Sequence, residues 1–148
     1  MSYAWTDDPV VADTTKIRKV HIEELRVAVS AEITRRSGTP DSFTDPVLQD
    51  GTEANPTKCR EVHITELRES CREASVLPCL TNTIAPPSSW SDDPIEFDIT
   101  KIRATHIEEL RDYTDQLSGA CLCNCDSHCS CNCNDCGCNH CGSHCSPH

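Results

Sequence analysis

Residues 121–148 read CLCNCDSHCSCNCNDCGCNHCGSHCSPH, placing ten Cys and four His within 28 positions, with Leu122 the one large apolar side chain. Such a segment does not fold by hydrophobic burial; cross-links or metal must order it, or it stays disordered. Cys121, Cys123, Cys125, Cys129, Cys131 and Cys133 are all odd-numbered, so an extended strand puts every one on the same face. The parity breaks at Cys136 and Cys138, where Cys133-x-x-Cys136 and Cys138-x-x-Cys141 have knuckle-like spacings suited to tetrahedral thiolate sites. Soft thiolates and imidazoles select zinc, copper(I) or iron over calcium or magnesium, which makes these cysteines, Cys145, His128, His140, His144 and His148 the candidate metal ligands. Disulfides are the competing chemistry outside a reducing cytosol, and a mobile reduced tail is the third. Neighbours in a Cys-x-Cys pair seldom bond each other, so bridges would join separate segments or separate chains. Redox catalysis through Cys-x-x-Cys is weak here without the βαβ scaffold that tunes such pairs.

A second set of chemically capable residues recurs in step. Trp5-Thr6-Asp7-Asp8-Pro9, Thr15-Lys16-Ile17-Arg18 and His21-Ile22-Glu23-Glu24-Leu25-Arg26 return without a gap 85 residues later, at Trp90-Ser91-Asp92-Asp93-Pro94, Thr100-Lys101-Ile102-Arg103 and His106-Ile107-Glu108-Glu109-Leu110-Arg111. A divergent copy lies between them: Phe43-Thr44-Asp45-Pro46, Thr57-Lys58-Cys59-Arg60 and His63-Ile64-Thr65-Glu66-Leu67-Arg68. Three identically placed histidines, His21, His63 and His106, are able to bind a metal if their helices converge. Their apolar neighbours favour a buried imidazole that hydrogen-bonds a carbonyl or carboxylate of the Asp-Asp-Pro lead. Glu23, Glu24, Glu66, Glu108 and Glu109 have the look of paired acids for general acid–base work. The expectation is instead a solvated helix edge pairing with Lys19, Arg26 or Arg111.

The elements that must position these groups follow from the pattern. Asp-Asp-Pro disfavours helix before it, and Thr15, Thr57 or Thr100 can cap the helix after it. At 100° per residue Ile17, Ile22, Leu25, Ala28 and Val29 fall on one stripe with His21 in its middle, so helices are predicted over about 15–36, 57–75 and 100–118. Trp5, Phe43 and Trp90 hold equivalent lead positions from which each ring can cover the stripe of its own or a neighbouring helix. The fold expected is mainly α: three tandem extended-lead-plus-helix repeats over 1–38, 39–80 and 81–120, then the irregular Cys-rich segment 121–148, ordered by metal or disulfides. In the middle copy Cys59 replaces the stripe residue Ile17 and reads as a small core hydrophobe. Cys71 lies 12 residues on, about 18 Å along a helix axis, too far to bridge Cys59. Cys71 and Cys79 can pair if the chain doubles back near Pro78.

Composition narrows the function. Of 148 residues, 36% are apolar, but the 13 cysteines are part of that figure and only six residues are aromatic. About 40 other hydrophobes are too few for a large monomeric core, so other subunits, metal or cross-links are expected to help. All 13 Lys and Arg residues and 22 of the 24 acids precede Cys121, leaving the first 120 residues at −9 and the tail at −2. A net charge of −11 with no basic run argues against nucleic acid and anionic membranes as partners. No apolar run approaches a spanning helix, and Met1-Ser2-Tyr3-Ala4-Trp5 lacks the charged and apolar regions of a signal peptide. No Gly-rich phosphate loop or nucleophile elbow appears, so an enzyme is not expected.

The unit W-[ST]-D-D-P followed by T-K-I-R-x-x-H-I-x-E-L-R resembles repeats of bacteriophage virion fibre or tail-appendage proteins and of bacterial surface proteins. Runs of Cys-x-Cys at a chain end are similar to some phage fibre tips. The resemblance covers about 1–30, 43–70 and 90–148, and the family has no assigned catalytic residues. It implies a structural virion protein, made in the host cytoplasm and working outside the cell, a homo-oligomer with a trimer as the first expectation and other virion structural proteins as partners. Zinc or iron is the metal expected in its tip. The alternative is a metal-handling protein, cytoplasmic or extracellular, that resembles metallothionein in its tail and uses the repeats as a docking body.

Overall fold

The computed structural model describes residues 3–49, 59–77, 84–85, 87–96 and 101–120. Three helices make up the body, α1 (Lys19–Arg35), α2 (Glu61–Val76) and α3 (Ala104–Ala120), each touching the other two, with no strand among the described residues. Ile22, Leu25, Val29 and Ile33 of α1, Ile64, Leu67, Cys71 and Ala74 of α2, and Ile107, Leu110, Tyr113 and Leu117 of α3 form one core. The stripe read from the sequence is therefore the buried face of each helix, with Leu25, Leu67 and Leu110 in the same register and each 0% exposed. Helices alone do not close it. Val10, Leu48 and Trp90 from the leads are buried in the same cluster, and Trp5, Phe43, Ile17, Cys59 and Ile102 pack on its edge.

The helices begin three residues later than caps at Thr15, Thr57 and Thr100 would place them. Thr57 and Thr100 lie outside the described residues, but Thr15 caps no helix: its Oγ1 accepts the Val11 N–H at 3.1 Å within a turn of the lead. The N-cap of α1 is Arg18 and that of α2 is Arg60, both in extended backbone at φ −124° and −119°. What stops the helix there is the histidine three residues on. The Arg18, Arg60 and Arg103 N–H groups donate to Nδ1 of His21, His63 and His106 at 3.2, 3.2 and 3.1 Å. The same histidines' N–H groups donate back to the Arg carbonyls at 3.1, 3.1 and 3.2 Å. The imidazole supplies the half of a capping box usually given by Glu or Gln, while the backbone carbonyl of the arginine takes the place of a capping side chain. Ile17 and its counterpart Cys59 thus sit ahead of their helices, not on the helical stripe, and reach the core from extended chain.

Candidate functional site

Each lead turns at an aspartate with positive φ, Asp7 at 52°, Asp45 at 49° and Asp92 at 51°, a left-handed conformation that Asp tolerates better than most side chains. In the divergent unit the missing acid is thus the counterpart of Asp8 and Asp93, and the turn aspartate is retained. These carboxylates meet the buried imidazoles: Nε2 of His21, His63 and His106 lies 3.2, 3.1 and 3.0 Å from Oδ2 of Asp7, Asp45 and Asp92. Since Nδ1 already accepts a backbone N–H, Nε2 carries the proton and donates to the carboxylate. All three rings are 0% exposed, with both nitrogens occupied. The histidines tie lead to helix and do not converge on a shared ion.

The acids of the repeat stay partly exposed and pair with Arg26 and Arg111 as expected, Glu108 lying 3.2 Å from Arg111, and they also hold the leads. Glu24 accepts the Thr6 N–H with both oxygens, at 3.2 and 3.0 Å, as well as the Thr6 hydroxyl. Glu66 does the same for the Thr44 N–H at 2.9 and 3.1 Å, and Glu109 for the Ser91 N–H, both at 3.1 Å. Glu108 accepts the Val10 N–H at 2.9 Å. Lys19 Nζ donates to the Leu48 carbonyl at 3.2 Å, a contact with the second lead. The carboxylates are held by backbone donors that the turn leaves without partners, which is why they reach the lead while keeping part of their surface in water.

The recurrent arginine joins one unit to the next. Arg26 stacks on Phe43 at 4.8 Å and donates to the Thr44 and Asp45 carbonyls at 2.6 and 2.8 Å. Arg68 stacks on Trp90 at 5.3 Å and donates to the Ser91 carbonyl at 2.7 Å. Arg111 stacks on Trp5 at 5.3 Å and donates to the Thr6 carbonyl at 2.7 Å and the Asp7 carbonyl at 3.4 Å. Each guanidinium also faces the glutamate that holds the same lead: Glu66 at 3.8 Å, Glu109 at 3.6 Å and Glu24 at 3.5 Å. Unit 1 clasps unit 2, unit 2 clasps unit 3, and unit 3 clasps unit 1. The cycle closes within one chain. Trp5, Phe43 and Trp90 are the platforms of this cycle, covered by arginine from the preceding unit. A guanidinium on an aromatic face contributes about 0.5–2 kcal/mol. Its cost is visible in the Nε atoms of Arg26, Arg68 and Arg111, which are buried without a partner in all three copies.

The clasp made by the arginines and the hold of the glutamates on the leads are not apparent from residue type and helical position alone. A signal was present: Glu24 follows Thr6, and Glu109 follows Ser91, by the same 18 residues, so each pair recurs as a unit.

The end of α3 is held as firmly. Arg36, whose side chain is fully buried, donates to the Leu117 carbonyl at 2.8 Å, and Arg35 reaches the Leu117 and Ser118 carbonyls at 3.2 Å each. Both arginines face Glu32, 2% exposed, which also accepts the Tyr3 hydroxyl at 2.6 Å. Burial first, then the Glu32 carboxylate, pushes that hydroxyl well above the ordinary tyrosine range. Tyr3 N–H and Trp5 Nε1 donate to Asp115 at 2.8 and 3.2 Å, tying the first lead to the same helix. Cationic donors at the last carbonyls of a helix suit its dipole. Cys121 follows directly on the helix secured in this way.

Cys59 and Cys71 both pack on the core of the body. Cys71 is a free cysteine, 0% exposed, with Sγ 3.9 Å from Thr114 Oγ1 across the α2–α3 contact. Burial pushes its thiol up to about 12, and that of free Cys59 to about 11. The expected partner of Cys71, Cys79, lies outside the described residues. So do all the candidate metal ligands of the tail: Cys121, Cys123, Cys125, His128, Cys129, Cys131, Cys133, Cys136, Cys138, His140, Cys141, His144, Cys145 and His148. Among the described residues no group of three or more His, Cys, Asp or Glu side chains could hold a metal, and no helix is long and apolar enough to cross a membrane.

One pH response follows from the clasps. Hydrogen bonds from Arg18 and then His21 hold the Asp7 carboxyl below the usual aspartate range, and those from His63 and then Arg60 do the same for Asp45. A carboxyl whose folded value is depressed adds stability above its unfolded value and loses it as pH falls through the folded one. Melting temperature is therefore expected to decline below about pH 4, with a shallower acid slope in Asp7→Asn and Asp45→Asn. Equal slopes in the variants and the unaltered chain would show that these carboxylates carry no such linkage.

No protein-family model matches the chain, and no curated protein or solved structure matches it.

Proposed function

We propose that the chain is a structural component of a virion, a fibre, neck or tail-appendage connector. In this reading it assembles as a homo-oligomer, a trimer first, and is locked through its Cys- and His-rich end by zinc or iron thiolate sites or by disulfides. The observation that carries this reading is how the repeats use their reactive side chains. The histidines, the lead-holding glutamates and the recurrent arginines of all three copies are engaged in fastening leads to helices, and the helix that leads into the tail is clamped at its last carbonyls. A rigid body with a cross-linkable end suits mechanical connection to other virion proteins. The acidic balance disfavours nucleic acid and anionic membranes as partners.

Native mass spectrometry of the full chain, before and after chelator or reductant, tests the proposal. It expects an oligomer that loses subunits when metal or disulfides are removed. A monomer that exchanges metal freely would contradict it and indicate metallothionein-like metal handling.

A further inference from the structure

The three junctions of the body share one chemistry but differ in how the chain crosses them. Unit 1 runs on into unit 2 and unit 2 into unit 3, whereas the junction of Arg111 with Trp5, Thr6, Asp7 and Glu24 joins the two ends of the body and is spanned by no linker. We propose that this junction is an assembly interface: a second copy of the chain docks by exchanging its first unit, so that Arg111 of one copy clasps the Trp5-Thr6-Asp7 lead of the other.

Three features support exchange. The contact is heterologous, with a guanidinium on α3 and a lead-plus-Glu24 socket on unit 1, so an opened copy presents one of each and joins head to tail. Two copies can close reciprocally, or three can pass unit 1 around a ring, with every clasp remade. Arg26 on Phe43 and Arg68 on Trp90 show that the clasp belongs to the units and recurs wherever two of them meet.

The pivot is the third feature. Residues 36–42 connect α1 to the second lead, and Ser37 stands there at φ 62°, a left-handed conformation that favours glycine. Next to it a Cβ on Gly38 would lie 2.5 Å from Leu77 Cδ1 and 2.7 Å from Ile33 Cγ2. The Ser37 and Gly38 N–H groups donate to the Thr34 and Ile33 carbonyls at 3.0 and 2.9 Å, so this turn is the C-terminal cap of α1 itself, and the connection after it can redirect unit 1 without disturbing the helix. Exchange forfeits the effective concentration of a short linker, on the order of millimolar, so it needs copies held at comparable local density. The inference rests on the repeat geometry and holds whether or not the tail binds metal.

The test uses full chains with reductant and chelator present throughout, which removes tail linkage and separates this inference from the proposed function. Glu24→Arg and Arg111→Glu each place like charges at the junction that closes their own chain. Mixed, one copy's Arg111 meets the other's native Glu24, and the reversed pair meets at the second junction. After co-refolding at high protein concentration, native mass spectrometry is expected to show a 1:1 complex of twice the 16.4 kDa chain mass, absent from either variant alone. If a variant does not fold by itself, recovery of helical circular dichroism on mixing is the supporting result. Persistence of 16.4 kDa monomers in the mixture, or no recovery of helicity, would overturn the proposal.

Discussion

Leu67→Ala is expected to lower the stability of the body by about 2–5 kcal/mol, the range for deleting a fully buried Leu side chain from a packed core. Leu67 is 0% exposed and shares its register with Leu25 and Leu110 in the one core that all three helices build. Set against a typical total of about 5–15 kcal/mol for a whole domain, the loss brings the protein close to unfolding at ambient temperature. Urea denaturation should show a lower midpoint at nearly unchanged slope. A loss below about 1 kcal/mol would mean that the helices do not meet at this residue.

Arg68→Ala carries the second large effect, expected at about 2–4 kcal/mol. The side chain is 2% exposed, and truncation removes a charge-assisted bond to the Ser91 carbonyl, the cover over Trp90 and the counter-charge of Glu109. Part of that loss is offset because Nε and Nη1 of Arg68 are already buried without hydrogen-bond partners, and because Glu109 keeps some contact with solvent. Arg68→Lys should rescue little of it, since an ammonium cannot stack flat on the indole while reaching the carbonyl. Thermal melts of the two variants check this, and a Lys variant as stable as the parent would show that charge alone matters at this junction.

Much of the body was legible in the sequence because its determinants are periodic or local. The apolar stripe needs only the 3.6-residue repeat, and a histidine set inside it has few ways to satisfy both ring nitrogens, which led to the lead as its partner. The helix starts were not legible, because the usual Ser, Thr or Asp rule assigns the cap to Thr15, whereas an imidazole three residues into the helix caps it at Arg18. Only half of the role of Glu24, Glu66 and Glu109 was legible: the sequence suggests surface pairs with Lys19, Arg26 or Arg111, and pairs with Arg26 and Arg111 form, but the hold on the leads is not visible in it. Their true donors are backbone N–H groups 18 to 22 residues upstream, placed only by the left-handed turn at the aspartate. The clasp of unit 3 on unit 1 depends on the closure of three helices, which no local window contains.

The repeat histidines are structural links, fixed by the same two bonds in every copy. Two-bond proton–nitrogen correlation spectra of the imidazoles at neutral pH read these links most directly, because they report which ring nitrogen bears the proton. For His21, His63 and His106 three resonance sets of the one tautomer are expected, protonated at Nε2 and bare at Nδ1, unchanged on adding chelator. A proton on Nδ1 in any of them, or shifts that move with metal removal, would contradict this.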